Sequence, residues 1–157
     1  MILYFLRHGL AGDYRDWQGD DWKRPLTEEG KVKMGEEAVA IKKLDLGLDL
    51  ILTSPLLRAL QTAQIVAEQL KKAKLIEEER LAPGFDLAGL KGILQDHPDA
   101  HVLMLVGHEP DFSEMVSDLT GGTRLALKKG GLARVEIENM ETLEGELEWL
   151  IPPRLLS

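Results

Sequence analysis

Ile2-Leu3-Tyr4-Phe5-Leu6-Arg7-His8-Gly9 is the stretch on which the fold turns. Five apolar residues in succession end at a charged pair and a glycine, the pattern of a strand buried on both faces of a parallel sheet. In an open α/β sheet, ligands bind beyond the carboxyl ends of the strands, so Arg7 and His8 are expected to face a crevice. Gly9 lets the backbone turn away at once and leaves room for a bulky group beside the imidazole.

Two further strands end in the same way. Leu48 to Thr53 runs into Ser54-Pro55, and serine as N-cap with proline at the first helical position predicts a helix from Pro55 to about Lys71. That helix would bury Leu56, Ala59, Leu60, Ala63, Val66 and Leu70. Arg58 falls in its first turn, where a cation opposes the helix dipole at a cost of about 0.3 to 1 kcal/mol. Helical side chains lean toward the N-terminus, which carries the guanidinium back over the end of the second strand. Val102 to Val106 is the third strand and stops at Gly107-His108-Glu109-Pro110. Asp111 with Glu114 reads as a capping box opening a helix through about Leu119, with an anion-attracting N-terminus beside His108.

The intervening segments fill in an α/β pattern. Leu10 to Arg24 has neither helical nor strand periodicity and is read as a loop; its Trp17 and Trp22 are expected to fold it down onto the domain, the alternative being that they floor a substrate site. A helix starts at Thr27, with Glu28 and Glu29 on its positive end and Val32, Ala38, Val39, Ile41 and Leu44 as its core face. Lys74 to Arg80 is a short strand, and Asp86 to about Gln95 a short helix. His97 and His101 are expected at the surface. Gly131 to Glu138 and Glu144 to Pro152 alternate as an antiparallel hairpin at the sheet edge. The fold class is therefore α/β, a three-layer sandwich with a mostly parallel central sheet, helices on both faces and a C-terminal antiparallel hairpin.

Bulk properties narrow the chemistry. Residues 1–157 have the length of one domain. The absence of cysteine excludes a disulfide framework, a thiolate nucleophile and a cysteine zinc site. A net charge of −8 argues against general binding of nucleic acid. The first apolar run is too short for a signal peptide or membrane span, so the cytoplasm is the expected location, away from any membrane.

Arg7, His8, Arg58 and His108 thus converge beyond three strand ends. Arginine forks match phosphoryl oxygens, and a neutral imidazole is a nucleophile that needs no deprotonation at neutral pH. Phosphoryl transfer requires alignment and charge stabilisation, so this set calls for no cofactor. Metal ligation by the two histidines would need a third ligand, for which Glu109 and Asp13 are the candidates, and two arginines would repel the cation.

Leu6-Arg7-His8-Gly9, Ser54-Pro55-Leu56-Leu57-Arg58-Ala59-Leu60-Gln61-Thr62-Ala63 and Gly107-His108-Glu109-Pro110 resemble the three signature segments of the histidine phosphatase superfamily, the phosphoglycerate-mutase-like fold. Asp21-Trp22-Lys23-Arg24-Pro25-Leu26-Thr27-Glu28-Glu29-Gly30 resembles the segment that follows the first motif in SixA-type phosphohistidine phosphatases. The resemblance implies that His8 is the nucleophile of a phosphohistidine intermediate and that Arg7, Arg58 and His108 hold the phosphoryl oxygens. Larger members carry a helical insertion over the site and an acidic proton donor. Nothing between Ile65 and Val102 is long enough to be that insertion, and the donor has no obvious counterpart; Asp86 is the candidate by position and Glu79 a weaker one.

An uncovered pocket and a missing acid favour a phosphohistidine displayed on a partner protein, such as a phosphotransfer domain. A small phosphorylated metabolite, or a non-catalytic phosphate-binding module, are the alternatives. If His8 must be neutral, activity is expected to fall on the acid side within about pH 5 to 8 as it protonates.

Overall fold

The computed structural model describes all 157 residues. Six strands form one sheet: β1 (Ile2–Arg7), β2 (Leu50–Thr53), β3 (Lys74–Glu77), β4 (Val102–Gly107), β5 (Leu132–Asn139) and β6 (Glu144–Ile151). They lie in the order β3-β2-β4-β1-β5-β6. The first four positions pair in parallel, and β5 joins β1 antiparallel before turning into β6. Four helices connect them: α1 (Glu28–Lys43), α2 (Leu57–Leu70), α3 (Leu87–Asp96) and α4 (Asp111–Leu119). The expected α/β class, parallel core and terminal hairpin are all present.

The continuous apolar runs of β1 and β4 are explained by two cores, one on each side of the sheet. Leu3 and Phe5 of β1 and Leu103 and Leu105 of β4 pack with α3 and α4 residues such as Leu90, Ile93, Phe112 and Met115. Tyr4, Leu6, Met104 and Val106 point the other way, onto Met34, Ala38 and Ile41 of α1 and Ala59, Ala63 and Val66 of α2. Side chains alternate across a strand, so a strand buried on both faces must be apolar at every position. Phe112 meets Phe5 and Phe85 edge-on at 5.2 and 6.1 Å, contacts worth about 0.5–1.5 kcal/mol each beyond burial.

Register brings the strand ends level. Arg7 pairs with Gly107, and Thr53 with Val106 on the other side of β4. His8, Ser54 and His108 therefore leave the sheet side by side.

Several boundaries differ from the sequence reading. Thr27 caps α1 as expected, its Oγ1 accepting the Gly30 N–H at 2.9 Å. The buried face, however, is Gly30, Met34, Glu37, Ala38 and Ile41, while Val32, Val39 and Leu44 face solvent. A close contact sets this rotation: a Cβ on Gly30 would overlap the Leu10 carbonyl oxygen, to which Thr27 N–H also donates (2.9 Å). Packing at that glycine outweighs the two valines.

The α2 helix begins at Leu57 with Leu56 as N-cap, two residues later than Ser54-Pro55 suggests. The Ser54 hydroxyl accepts the Leu56 N–H (3.3 Å) and is 2.8 Å from His108 Nε2. β3 stops at Glu77 rather than Arg80, because the Glu78 carboxylate accepts the Arg80 N–H (3.0 Å) and opens a 3-10 turn. Asp111 does not cap α4: its carboxylate accepts the Gly84 N–H (2.8 Å), and Glu109 takes the Ser113 N–H (2.9 Å) in its place. No helix is long and apolar enough to cross a membrane.

Candidate active site

A crevice of about 460 Å³ opens beyond the carboxyl ends of β1, β2 and β4, and Arg7, His8, Arg58 and His108 all line it. The four residues singled out in the sequence are brought together, and all but Arg7 are buried.

His8 is oriented by its own turn. Its backbone N–H donates to Gly107 O (3.0 Å), which ties β1 to β4 at the last residue. Its Nδ1 lies 2.7 Å from Gly9 O. A carbonyl only accepts, so Nδ1 carries the proton and Nε2 keeps its lone pair. Burial pushes the His8 pKa well below the usual imidazole value, and the charges of Arg58 and Arg7 act in the same direction. The ring is held neutral with its unprotonated nitrogen fixed.

His108 stands beside it, the ring centroids 5.3 Å apart. Burial, reinforced by the Arg58 charge, pushes its pKa down to about 3. His108 Nδ1, Arg7 Nε and Arg58 Nε are all buried without a protein partner. Buried polar nitrogens rarely go unpaired, and three of them around one crevice, two on guanidinium groups, describe a cradle for an anion. Arg7 is steadied by Nη1 donating to Leu127 O (2.9 Å).

Four contributors went unassigned in the sequence reading. Arg24 is buried on the crevice wall, with Nη1 donating to Ala11 O (3.0 Å) and Gly12 O (3.1 Å). Asp21 joins two guanidinium groups, its carboxylate 2.8 Å from Arg24 Nε and 3.1 Å from Arg58 Nη2, and its carbonyl accepts Arg58 Nη1 (2.9 Å). The Arg24 hydrogen bond and the Arg58 charge hold the Asp21 carboxyl below its ordinary range despite partial desolvation. Thr62 accepts the Gly9 N–H (3.0 Å) and donates to Arg58 O (2.7 Å), linking the turn at His8 to α2. Ser54 steadies His108. All four lie inside the quoted motif segments, which was the available signal.

Asp86 does not line the crevice. It is exposed, and its carboxylate caps α3 by accepting the Gly89 N–H (2.9 Å). Glu79 lies in the 3-10 turn after β3, also off the crevice wall. The acids that do line it are Asp13 and Glu109. Asp13 is paired with Arg15 at 2.7 Å, and Glu109 accepts both the N–H and the hydroxyl of Ser113. Neither joins the histidines in a cluster able to hold a metal ion.

Residues 3–101 match the histidine phosphatase superfamily (branch 1). The chain belongs to that superfamily. An uncharacterized protein of Picosynechococcus sp. is 37% identical over 97% of this chain and its own full length. The structure of the protein histidine phosphatase SixA complexed with tungstate superposes with a TM-score of 0.83 over 100% of both chains at 26% identity. A mycobacterial glucosyl-3-phosphoglycerate phosphatase shares the fold at 16% identity, with a TM-score of 0.75 over 94% of this chain and 97% of its own. A histidine phosphatase of this kind is a phosphatase enzyme.

Proposed function

We propose that the chain removes a phosphoryl group from a histidine of a partner protein, with His8 as nucleophile. The observation that carries this reading is the state of the acids around the crevice. Hydrolysis of an alkyl phosphate expels an alkoxide and needs a general acid, which typically contributes ~10² to 10⁴ in rate. Glu109 is a double acceptor from Ser113, Asp13 is paired with Arg15 and Asp86 is engaged in capping, so each of these carboxyl groups is already committed to another partner. Phosphohistidine needs none. Its imidazole, protonated on the other nitrogen, departs as a neutral ring.

The steps follow from the geometry. His8 Nε2 attacks phosphorus while the P–N bond to the substrate histidine breaks, its electron pair going to the departing nitrogen. Phosphoryl charge is met by Arg7, Arg58, His108 and Arg24, which are in place before the reaction begins. With Nε2 of His108 accepting from the Ser54 hydroxyl, its Nδ1–H is left as the donor to a phosphoryl oxygen. The phosphorylated His8 ring keeps Nδ1–H on Gly9 O, which stabilises its positive charge. Water then attacks phosphorus, the P–N bond to His8 breaks, His8 leaves as a neutral ring, and the proton of the water passes to phosphate and solvent.

The likeness to SixA over the whole chain supports the same substrate class. The test is turnover of a phosphohistidine phosphotransfer domain against a panel of sugar phosphates, nucleotides and phosphoglycerates. Fast loss of phosphate from the domain with poor turnover of monoesters is the expected result; the opposite order makes the chain a metabolite phosphatase.

A further inference from the structure

Residues 13–24 form a built rim beside the crevice. Two 3-10 turns, Tyr14–Asp16 and Asp21–Lys23, are capped by Asp13 and Asp20, whose carboxylates accept the N–H groups of Arg15 (2.9 Å) and Trp22 (3.0 Å). Trp17 Nε1 donates to Asp20 O (3.0 Å), which fixes the indole across the segment. Asp21 fastens the whole to Arg24 and Arg58 of the site. The rim is ordered by its own bonds rather than by burial.

Its aromatic residues are left outside. Tyr14, Trp17 and Trp22 are 67%, 37% and 51% exposed, contrary to the expectation that the tryptophans pin the loop to the domain. Tyr14 lines the crevice, whereas Trp17 and Trp22 lie beyond its wall. A small substrate seated on His8 would not need them; a surface surrounding that substrate would. Aromatic side chains with one polar end are the groups most enriched at protein interfaces. Asp13 and Asp21 are neutralised by arginines, which leaves Asp16 and Asp20 as uncompensated carboxylates among the aromatic rings.

We infer that Trp17 and Trp22, flanked by Asp16 and Asp20, dock the protein that carries the phosphohistidine, through apolar side chains and at least one lysine or arginine around that histidine; the assignment rests on the phosphohistidine-protein reading of the crevice. The two regions divide the work. Arginines take the anionic phosphoryl group, and the acidic aromatic rim takes the protein surface around it.

The experiment compares wild type with a Trp17→Ala/Trp22→Ala double variant and with Asp16→Lys. The substrates are a phosphotransfer domain charged with phosphoramidate, and phosphoramidate alone. In the double variant, KM for the domain is expected to rise about tenfold or more, equivalent to one well-packed contact, while turnover of phosphoramidate stays within about twofold. Trp17→Phe/Trp22→Phe restores part of the loss, and Asp16→Lys raises KM for the domain alone. Equal losses on both substrates would make the rim a support of the crevice, and no loss on either would remove its role; both outcomes overturn the inference. So would a selective loss on nucleoside monophosphates, which would assign the indoles to base stacking. If wild type fails on every phosphohistidine protein, the function itself is wrong; if wild type acts and the double variant matches it, only the docking rim is.

Discussion

On the crevice side of residues 7–9, buried nitrogens of Arg7, Arg58 and His108 stand without partners. On the α1 side, Glu37 is buried with its Oε2 equally unpaired. It lies against Gly130, whose N–H donates to both Arg7 O and His8 O at 3.1 Å. The two sites share a backbone and the same formal defect, and their consequences are opposite. The nitrogens line a concave, arginine-bearing crevice, so on the function proposed above their partner would be the phosphoryl group, and their desolvation would be recovered in catalysis. Glu37 is an acceptor whose nearest charges are Lys33 and Glu36, with Lys129 and Arg154 also on its cleft; burial pushes its carboxyl up to about 8. Gly130, at φ +83°, leaves the space that the carboxyl occupies. An unpaired buried polar group is thus functional or costly according to what its cavity can admit.

Substitutions can break or sharpen that contrast. His8→Ala removes the proposed nucleophile and is expected to lower phosphatase activity by on the order of 10³-fold or more with little change in melting temperature, which steady-state kinetics and thermal unfolding will check. Arg58→Ala should cost about 10²- to 10³-fold, mainly in kcat, the size of a lost transition-state charge contact. Asp21→Asn keeps every arginine but loosens Arg24 and Arg58, and a loss of about tenfold is expected from their misplacement. Were Asp21→Asn silent, the arginines would be positioned by the backbone alone.

Glu37→Gln is the counterpart on the other side, with little expected effect on turnover and a clear one on stability. The folded carboxyl binds its proton up to about pH 8, whereas in the unfolded chain it titrates near its ordinary value. The wild-type stability from this group is therefore complete below about pH 4 and is lost as pH rises toward 8, by at most about 5 kcal/mol. Glu37→Gln lacks that slope, so its melting temperature should match wild type at acid pH and exceed it at pH 8. A variant less stable than wild type at pH 8 would show that ionised Glu37 has a partner.

The pH profile offers a smaller test. The sequence alone placed the acid limb of activity within the ordinary imidazole range. Burial of His8 and His108 moves it lower, so activity should hold well below pH 6.5 before falling.

What could be read in the sequence was what uniform burial or a local dipole determines. The runs Ile2 to Leu6 and Val102 to Val106 are apolar at every position because both faces of the sheet are covered, and the residues that follow them, Arg7, His8 and His108, fall at the crevice. Arg58 followed from helix geometry. The rest depended on contacts between distant segments. Nothing local says that Gly30 touches Leu10 and so rotates α1, placing Glu37 inside and Val32 outside. Nor does local pattern show that Ser54 is bonded to His108 as well as to the N–H of Leu56 at the start of α2, that Glu109 caps α4 in place of Asp111, or that Arg24 is folded onto the Ala11 and Gly12 carbonyls. Polar residues in loops have many possible partners, and only the fold chooses among them.

The most direct test of the account is to quench the enzyme under alkaline conditions during turnover of a phosphohistidine substrate and locate the bound phosphate by residue and by ring nitrogen. Phosphate on Nε2 of His8 is the predicted result, since Nδ1 is held by the Gly9 carbonyl. Phosphate on His108, on Nδ1 of His8, or on no residue while turnover proceeds would contradict it.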